Sequence, residues 1–352
     1  MKQGCLVVAV RYWGLPFFLK YDLLRKSLKM KLLNKIFLFC FLLTTFTPVK
    51  LLADDIQKAD TVKTGIYIIS VHDIDFHERE YSINFWVWMR YKNPEFKFAK
   101  NIEIPNSKSF IISDINTDSA DGEIFTIMKL KCVMKQSWRV HNYPFDKQKL
   151  KIHIENSQFD SKSLVFVADT NGKQFDPKLT VSGWDIANIS ISTGIQNYET
   201  AFGDVSQKTP HSEYGKYMIE LDIERNAWGL FLKLFLGMYV AFLITYVSIF
   251  IHADNIDSRF GLSVGALFAA VGNKYIIDSL LPESSNFTLV DSLHAFTFIS
   301  ILVTISLSVY ALKLLKEDKL EKANRIDKLT ARILLSAYVF LNLLFVGLAI
   351  FN

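Results

Sequence analysis

The sequence predicts an exported β-sandwich followed directly by a bundle of four transmembrane helices. Three observations predict it. A hydrophobic period of two runs to about Arg225 and then gives way to long apolar segments. Four of those segments are each about the length that crosses a bilayer core. The chain is 50% hydrophobic and 14% aromatic, too apolar for one soluble domain and suited to a water-facing part joined to a membrane part.

The N-terminal elements come first. Residues 30–53, MKLLNKIFLFCFLLTTFTPVKLLA, have a Lys-bearing start, an apolar run from Ile36 to Phe46 and a Leu51-x-Ala53 end, which is how a secretory signal peptide reads. Residues 1–29 carry no clear pattern and are expected to be an extended leader or the product of a misassigned start. Of the three cysteines, Cys5 and Cys40 would leave with the leader. Cys132 then remains alone, without a disulfide partner in an oxidising compartment. It alternates with Met128, Leu130 and Met134, so a buried structural thiol is expected rather than a reactive one.

Residues 54–225 read as strands. Tyr81, Ile83, Phe85, Val87, Met89 and Tyr91 fall on one face, and Ser82, Asn84, Trp86, Trp88 and Arg90 on the other. Leu150, Ile152 and Ile154 alternate with Lys151, His153 and Glu155, and Tyr217, Ile219, Leu221 and Ile223 with Met218, Glu220, Asp222 and Glu224. Turn clusters such as NPEF, IPNSKS, DTNGK and SQKTPHSEYG separate these runs. Together they argue for an antiparallel sandwich.

Residues 226–352 read as the membrane domain, with spans at about 230–251, 260–281, 295–315 and 333–351. A cleavable leader plus four spans puts the sandwich, the second-to-third connection and the C-terminus outside. The charges agree. Lys313, Lys316, Lys319, Lys322, Arg325, Lys328 and Arg332 crowd the third-to-fourth connection, while LPESSNFTLVD has neither Lys nor Arg. Lys233 and Lys274 sit toward the outer ends of their spans and can snorkel, with Asp278 one turn beyond Lys274 as a partner.

Enzymatic chemistry is not expected. There is no P-loop, HExxH or CxxC, the seven histidines show no metal spacing, and no cofactor, metal or nucleic acid is implied. Gly261-Leu-Ser263-Val-Gly265 matches a G-x-S-x-G elbow, but it lies in an apolar span and lacks the strand that such an elbow requires.

The most specific stretch is the loop Gln136–Leu150, in which Tyr143, Pro144, Phe145 and Asp146 are followed by Gln148. With the exported sandwich and four spans, this loop resembles that of the pentameric ligand-gated ion channels, the Cys-loop receptor superfamily, over the whole of residues 54–352. Gln136 and Leu150 stand where animal receptors have their loop cysteines, so the disulfide is absent, as is common in bacterial members. The resemblance implies a homopentamer of the bacterial inner membrane, with its sandwich periplasmic, passing inorganic ions among lipid.

It also implies site residues. Tyr143 and Phe145 would bury against the second-to-third connection around Leu281, Pro282 and Phe287, with Pro144 fixing the bend. Asp146 would either meet Arg225 at the domain junction or cap its own turn. Gly261, Gly265, Phe268, Gly272, Tyr275 and Ser279 form one helical stripe that would face the fivefold axis, with Arg259 at its cytoplasmic end and Phe268 as an apolar gate. The alternative for Gly261 and Gly265 is GxxxG packing. Asp254 and Asp257 lean toward cations, and Arg259 opposes them.

The ligand would sit between neighbouring sandwiches. Trp86, Trp88 and Arg90 are expected on one side, or as plain subunit packing. Glu155, Phe159 and Tyr214 are expected on the other, with Ser157 replacing a usual aromatic and Tyr198, Phe202 and Tyr217 as further candidates. Rings beside a carboxylate suit a small amine. Because glycines replace the usual polar pore residues, a non-conducting sensor or scaffold of the same fold is the alternative function.

Overall fold

The computed structural model describes residues 59–205 and 209–351. The expected leader (1–29) and signal peptide (30–53) lie outside the described residues. The chain divides into two compact units between Ile56 and Gln57, and every described residue belongs to the second.

Among the described residues nine strands build two sheets. They are β1 (Asp60–Asp75), β2 (Glu80–Tyr91), β3 (Ile102–Glu103), β4 (Ser107–Ala120), β5 (Glu123–Lys135), β6 (Lys147–Asn156), β7 (Leu164–Ala168), β8 (Trp184–Tyr198) and β9 (Ser212–Arg225). One sheet has the order β4-β5-β2-β1-β7 and the other β3-β6-β9-β8. The period-two faces become the core. Ile83, Phe85, Val87 and Met89 of β2, Leu150, Ile152 and Ile154 of β6, and Ile219, Leu221 and Ile223 of β9 are all fully buried. Each such side chain contributes about 1.5–3 kcal/mol. The sandwich is not wholly antiparallel: β7 runs parallel to β1, with Asp60 opposite Leu164. The chain crosses from one sheet to the other between β6 and β7, so it meets the β1 edge running in the same direction.

Cys132 lies in β5 opposite Ile83 of β2 and Phe110 of β4 and is buried. Burial pushes its thiol up to about 12. A thiolate is the reacting species, so we expect Cys132 in the folded protein to resist water-soluble thiol reagents at pH 8 and to react fully in denaturant. Rapid native labelling would contradict this. Gly65 on β1 makes a close approach possible: the Trp88 indole lies against it, where a Cβ would overlap the ring.

Four helices long and apolar enough to span a membrane follow: α1 (Ala227–Ser248), α2 (Ile256–Asp278), α3 (Leu289–Lys316) and α4 (Leu320–Phe351). α1 and α2 start and end about three or four residues before the apolar stretches do, while α3 and α4 outrun theirs, most of all α4, which begins well before Ile333. Small residues let the helices approach: Ala241 of α1, Ala266 and Ala270 of α2 and Ile301 of α3 form one buried cluster. Phe242 of α1 stacks on Tyr338 of α4 at 3.5 Å, and the Tyr338 hydroxyl meets Thr297 of α3 at 2.9 Å. At the end nearer the sandwich Asn273 of α2 donates to the Leu234 carbonyl of α1 and meets His294 of α3. Thr288 and Asp291 cap α3 reciprocally.

Candidate functional site

The junction between sandwich and helices is built around Arg225, the last residue of β9. Its Nε donates to Asp146 Oδ1 at 2.7 Å and its Nη2 to Oδ2 at 3.2 Å. The two side chains are 11% and 1% exposed. Gln148 also donates to Asp146, at 2.6 Å. Three rings enclose the guanidinium: Trp184 at 4.0 Å, Phe76 at 4.7 Å and Tyr143 at 5.0 Å from Cζ. Burial pushes the Tyr143 phenol up, against the pull of Arg225. The Tyr143–Pro144 peptide bond is cis.

One expectation for this loop is corrected. Phe145 lies edge-on to Trp228 at 5.3 Å and against Phe231 at 5.4 Å, both on α1, rather than stacking on Phe287 of the α2–α3 connection. The Asp146–Arg225 pair pins the loop to the end of β9, and α1 starts at Ala227, so its first turns are the nearest apolar surface. Tyr143 is likewise taken up by Phe76 and Arg225. Two hydrogen bonds tie the sandwich to the α2–α3 connection and the start of α3. The Leu289 amide donates to the His141 carbonyl at 2.9 Å, and Arg79 of the β1–β2 turn donates to the Glu283 carbonyl at 2.9 Å. Pro282 is half-buried beside them.

Gly261, Gly265, Phe268, Gly272 and Tyr275 of the predicted stripe on α2, and Ser279 directly after it, are all exposed in the single chain. Phe268 is 72% and Tyr275 76% exposed. The buried face carries Arg259, Ser263, Ala266, Ala270 and Ile277. Among the described residues nothing lies within 4 Å of a Cβ built at Gly261, Gly265 or Gly272, so the GxxxG is not a packing site among them.

Arg259 is the second correction. It does not continue the stripe: it is 2% exposed and its guanidinium is bound to Asp327 of α4 at 2.6 Å and to the carbonyls of Ile249 and Ile251. Two residues before Gly261 means roughly 200° around the helix, which puts Arg259 on the buried face with Ser263. Asp257, one turn before Gly261, is exposed and in line with the stripe. Asp254 sits in the preceding turn, where the His252 ring at 2.6 Å holds its carboxyl below the usual range. At the end of α2 nearer the sandwich Lys274 bridges Asp278 and Asp291, each at 2.8 Å.

The predicted ligand residues fall on two separate sheets of one chain. Trp86, Trp88 and Arg90 stand on the outer face of β2. Lys129 lies 5.6 Å over the Trp86 ring and Arg90 5.6 Å over Phe125. Trp88 Nε1 donates to Asp169 Oδ2 at 3.1 Å, which holds the Asp169 carboxyl below its ordinary value. A lowered carboxylate stabilises the fold above the ordinary carboxylate pKa of about 3.9, and that stabilisation is lost as pH falls through the lower folded value. We therefore expect Trp88→Phe to lower stability by about 1 kcal/mol at pH 7, with the difference from wild type closing in acid. A pH-independent difference in melting would contradict this.

Glu155 lies on the other sheet, in β6 opposite Glu103 of β3, and is 2% exposed. Tyr198 of β8 donates to its two oxygens at 3.1 Å, and His153 Nε2 is 2.5 Å from Oε1. Tyr198, Phe202 and Tyr214 pack edge-to-face with centroids 5.4–6.3 Å apart. Burial and then the nearby carboxylates push both phenols up, so they stay neutral donors. Phe159 packs edge-on to Phe96 at 5.0 Å, and Tyr217, paired with Ile154, is fully buried in the core on the face opposite Glu155. His153 was the residue missed. Its signal was present, since it is two residues before Glu155 on the same strand face.

A sheet-rich domain followed by four apolar helices makes this a multi-pass membrane protein. No protein-family model matches the chain. It is 21% identical over 272 residues, covering 69% of this chain and 71% of the relative, to a proton-gated ion channel of Gloeobacter violaceus. That similarity supports the resemblance to the pentameric ligand-gated channels and a channel rather than an enzyme.

Proposed function

We propose that five copies of this chain form an ion channel of the inner membrane, opened by a stimulus sensed in periplasmic sandwiches, with α2 lining the pore. The observation that carries this is the α2 stripe: six residues at helical spacing are all exposed while the opposite face packs. In a ring of copies such a stripe faces the axis, with Phe268 as an apolar constriction. Asp257 in line with it, and Arg259 turned inward, favour cations.

The stimulus acts on the sandwiches. Glu155 with Tyr198 and Tyr214 supports a small amine as ligand, completed by Trp86 and Arg90 of the adjacent copy. The similarity to a proton-gated channel adds protons to the stimuli to be tested. Binding that favours the open arrangement would pass through Asp146–Arg225 to α1 and through the His141 and Glu283 carbonyls to the α2–α3 connection. The bare backbone at Gly261, Gly265 and Gly272 favours the second reading, a sensor of the same fold that does not conduct.

The test is current across planar bilayers holding the purified protein, under pH steps and an amine panel. Wild type is expected to conduct on stimulation, and Glu155→Gln to need a stronger stimulus. A correctly assembled wild type that stays silent under every stimulus supports the non-conducting sensor.

A further inference from the structure

Glu155 is 2% exposed, and a carboxylate buried without a counter-charge is costly. Tyr198 donates to both of its oxygens, but a phenol brings no charge. Among the described residues neither lysine nor arginine pairs with it. The cation within reach is His153, two residues earlier on the same face of β6, whose Nε2 lies 2.5 Å from Oε1. His153 is itself 8% exposed, and its buried Nε2 has no partner among the described residues apart from this carboxylate.

The neighbouring charges are otherwise engaged. Met218 of β9 stands opposite His153, so no charge faces it there. On the same face of β9, Glu220 is held by Lys149 and Lys151, and Lys216 by Gln196 of β8. Lys151, two residues before His153, is therefore committed to Glu220. Tyr214 stays a neutral phenol. Glu103 of β3, opposite Glu155, is exposed and adds negative charge beside the pair. Asn106 pins this stretch of β6, accepting from the His153 amide and donating to the Lys151 carbonyl.

Histidine ordinarily changes charge between pH 5 and 8. Charged, the imidazolium supplies the cation that Glu155 otherwise lacks. Neutral, it leaves the carboxylate uncompensated. An ammonium ligand needs that same carboxylate, so a proton on His153 and an amine at Glu155 oppose each other, and the opposition is reciprocal.

We propose that His153 is a tethered competitor for the amine: protonated, it occupies Glu155 and excludes the ligand, so that acid weakens amine binding. The proposal rests on the amine reading above and is independent of whether the protein conducts.

The test is isothermal titration calorimetry on the purified full-length protein in detergent with n-butylamine, and with n-butanol as its uncharged counterpart. An alkylammonium, like that of lysine, keeps its charge across this range. A competing proton weakens binding about tenfold for each pH unit below the ordinary histidine midpoint of about 6.5. Wild-type affinity for butylamine is thus expected to fall about tenfold from pH 8 to pH 5.5, with proton release at pH 6.5 seen as a heat that depends on the buffer. His153→Gln should bind at both pH values as wild type does at pH 8, without that proton release. His153→Lys, a permanent cation, should bind at both pH values about tenfold more weakly than wild type at pH 8. If His153→Gln fails to fold, wild type and His153→Lys carry the test. Butylamine affinity that is the same at both pH values in wild type, a fall that persists undiminished in His153→Gln, or His153→Lys binding as tightly as wild type at pH 8 would overturn the proposal. Wild type that binds butylamine no better than butanol at either pH would overturn the amine reading itself, and the proposal with it.

Discussion

Replacing Arg225 with alanine is expected to destabilise the protein by about 3–5 kcal/mol, because it leaves the Asp146 carboxylate buried without its counter-charge. Asp146 is 1% exposed at the side chain and Arg225 only 11%, so water cannot replace the lost partner. Arg225→Lys is not a mild change here. An ammonium keeps the charge but loses the two-point bond to Asp146 and the flat contact with Trp184, Phe76 and Tyr143. Thermal unfolding of wild type, Arg225→Ala, Asp146→Ala and the double variant gives the cycle that isolates the pair. The double variant should be less damaged than the sum of the single ones. Strict additivity would show that the pair does not act as a unit. In the proposed channel, Arg225→Lys should also leave stimulus binding intact while blunting the current, since the last strand hands over to α1 at this residue.

Phe268→Ala carries the second large effect. Phe268 is 72% exposed in the single chain, so truncating it creates no cavity within the chain and should barely change its stability. In the proposed channel its effect falls on the pore. Losing an apolar constriction wets the path. A shift of about 1.4 kcal/mol toward the open state raises the open fraction roughly tenfold when that fraction is small. Unstimulated current should therefore rise about tenfold at unchanged protein density in the bilayer. An unchanged or lower resting current would place Phe268 away from the gate.

The fold was legible where hydrophobic pattern alone decides structure. The alternation of β2 buries Ile83, Phe85, Val87 and Met89 because one face of a strand must meet the core. The helices were legible through their apolar runs, although their ends were not. The backbone of α4 continues through Arg332 to Leu320 because a helix needs its own hydrogen bonds, not apolar side chains, to extend into water. Distant partners were hidden for a different reason. Arg259 precedes the stripe by two residues and looked like part of a pore mouth, but the facing acid, Asp327, lies on the last helix. Nothing in local spacing connects two residues so far apart. Phe145 carried the same ambiguity, since an apolar tip shows that it will be buried without showing against what.

The candidate site was legible in its chemistry more than in its assembly. Glu155, Tyr198 and Tyr214 could be picked out as an acid among rings, and the structure brings these three to one end of one sheet. Trp86, Trp88 and Arg90 could be picked out as aromatics and a cation on an outer face. The two groups occupy different sheets, so a single chain cannot close a pocket from both. Trp88 is further committed to Asp169 and Gly65 within its own subunit, which leaves Trp86 and Arg90 as the more available side chains.

The most direct test of the central claim is thiol accessibility along α2. With Cys5 and Cys40 replaced by serine, buried Cys132 supplies a quiet background. Phe268→Cys, Gly272→Cys and Ala270→Cys would each be exposed to a charged, water-soluble thiol reagent while current is recorded across a planar bilayer. The account predicts that the reagent alters current at Phe268→Cys and Gly272→Cys and leaves Ala270→Cys, on the buried face, unchanged. Modification at Ala270→Cys alone, or conducting variants insensitive at both stripe positions, would contradict the claim that this stripe lines a pore.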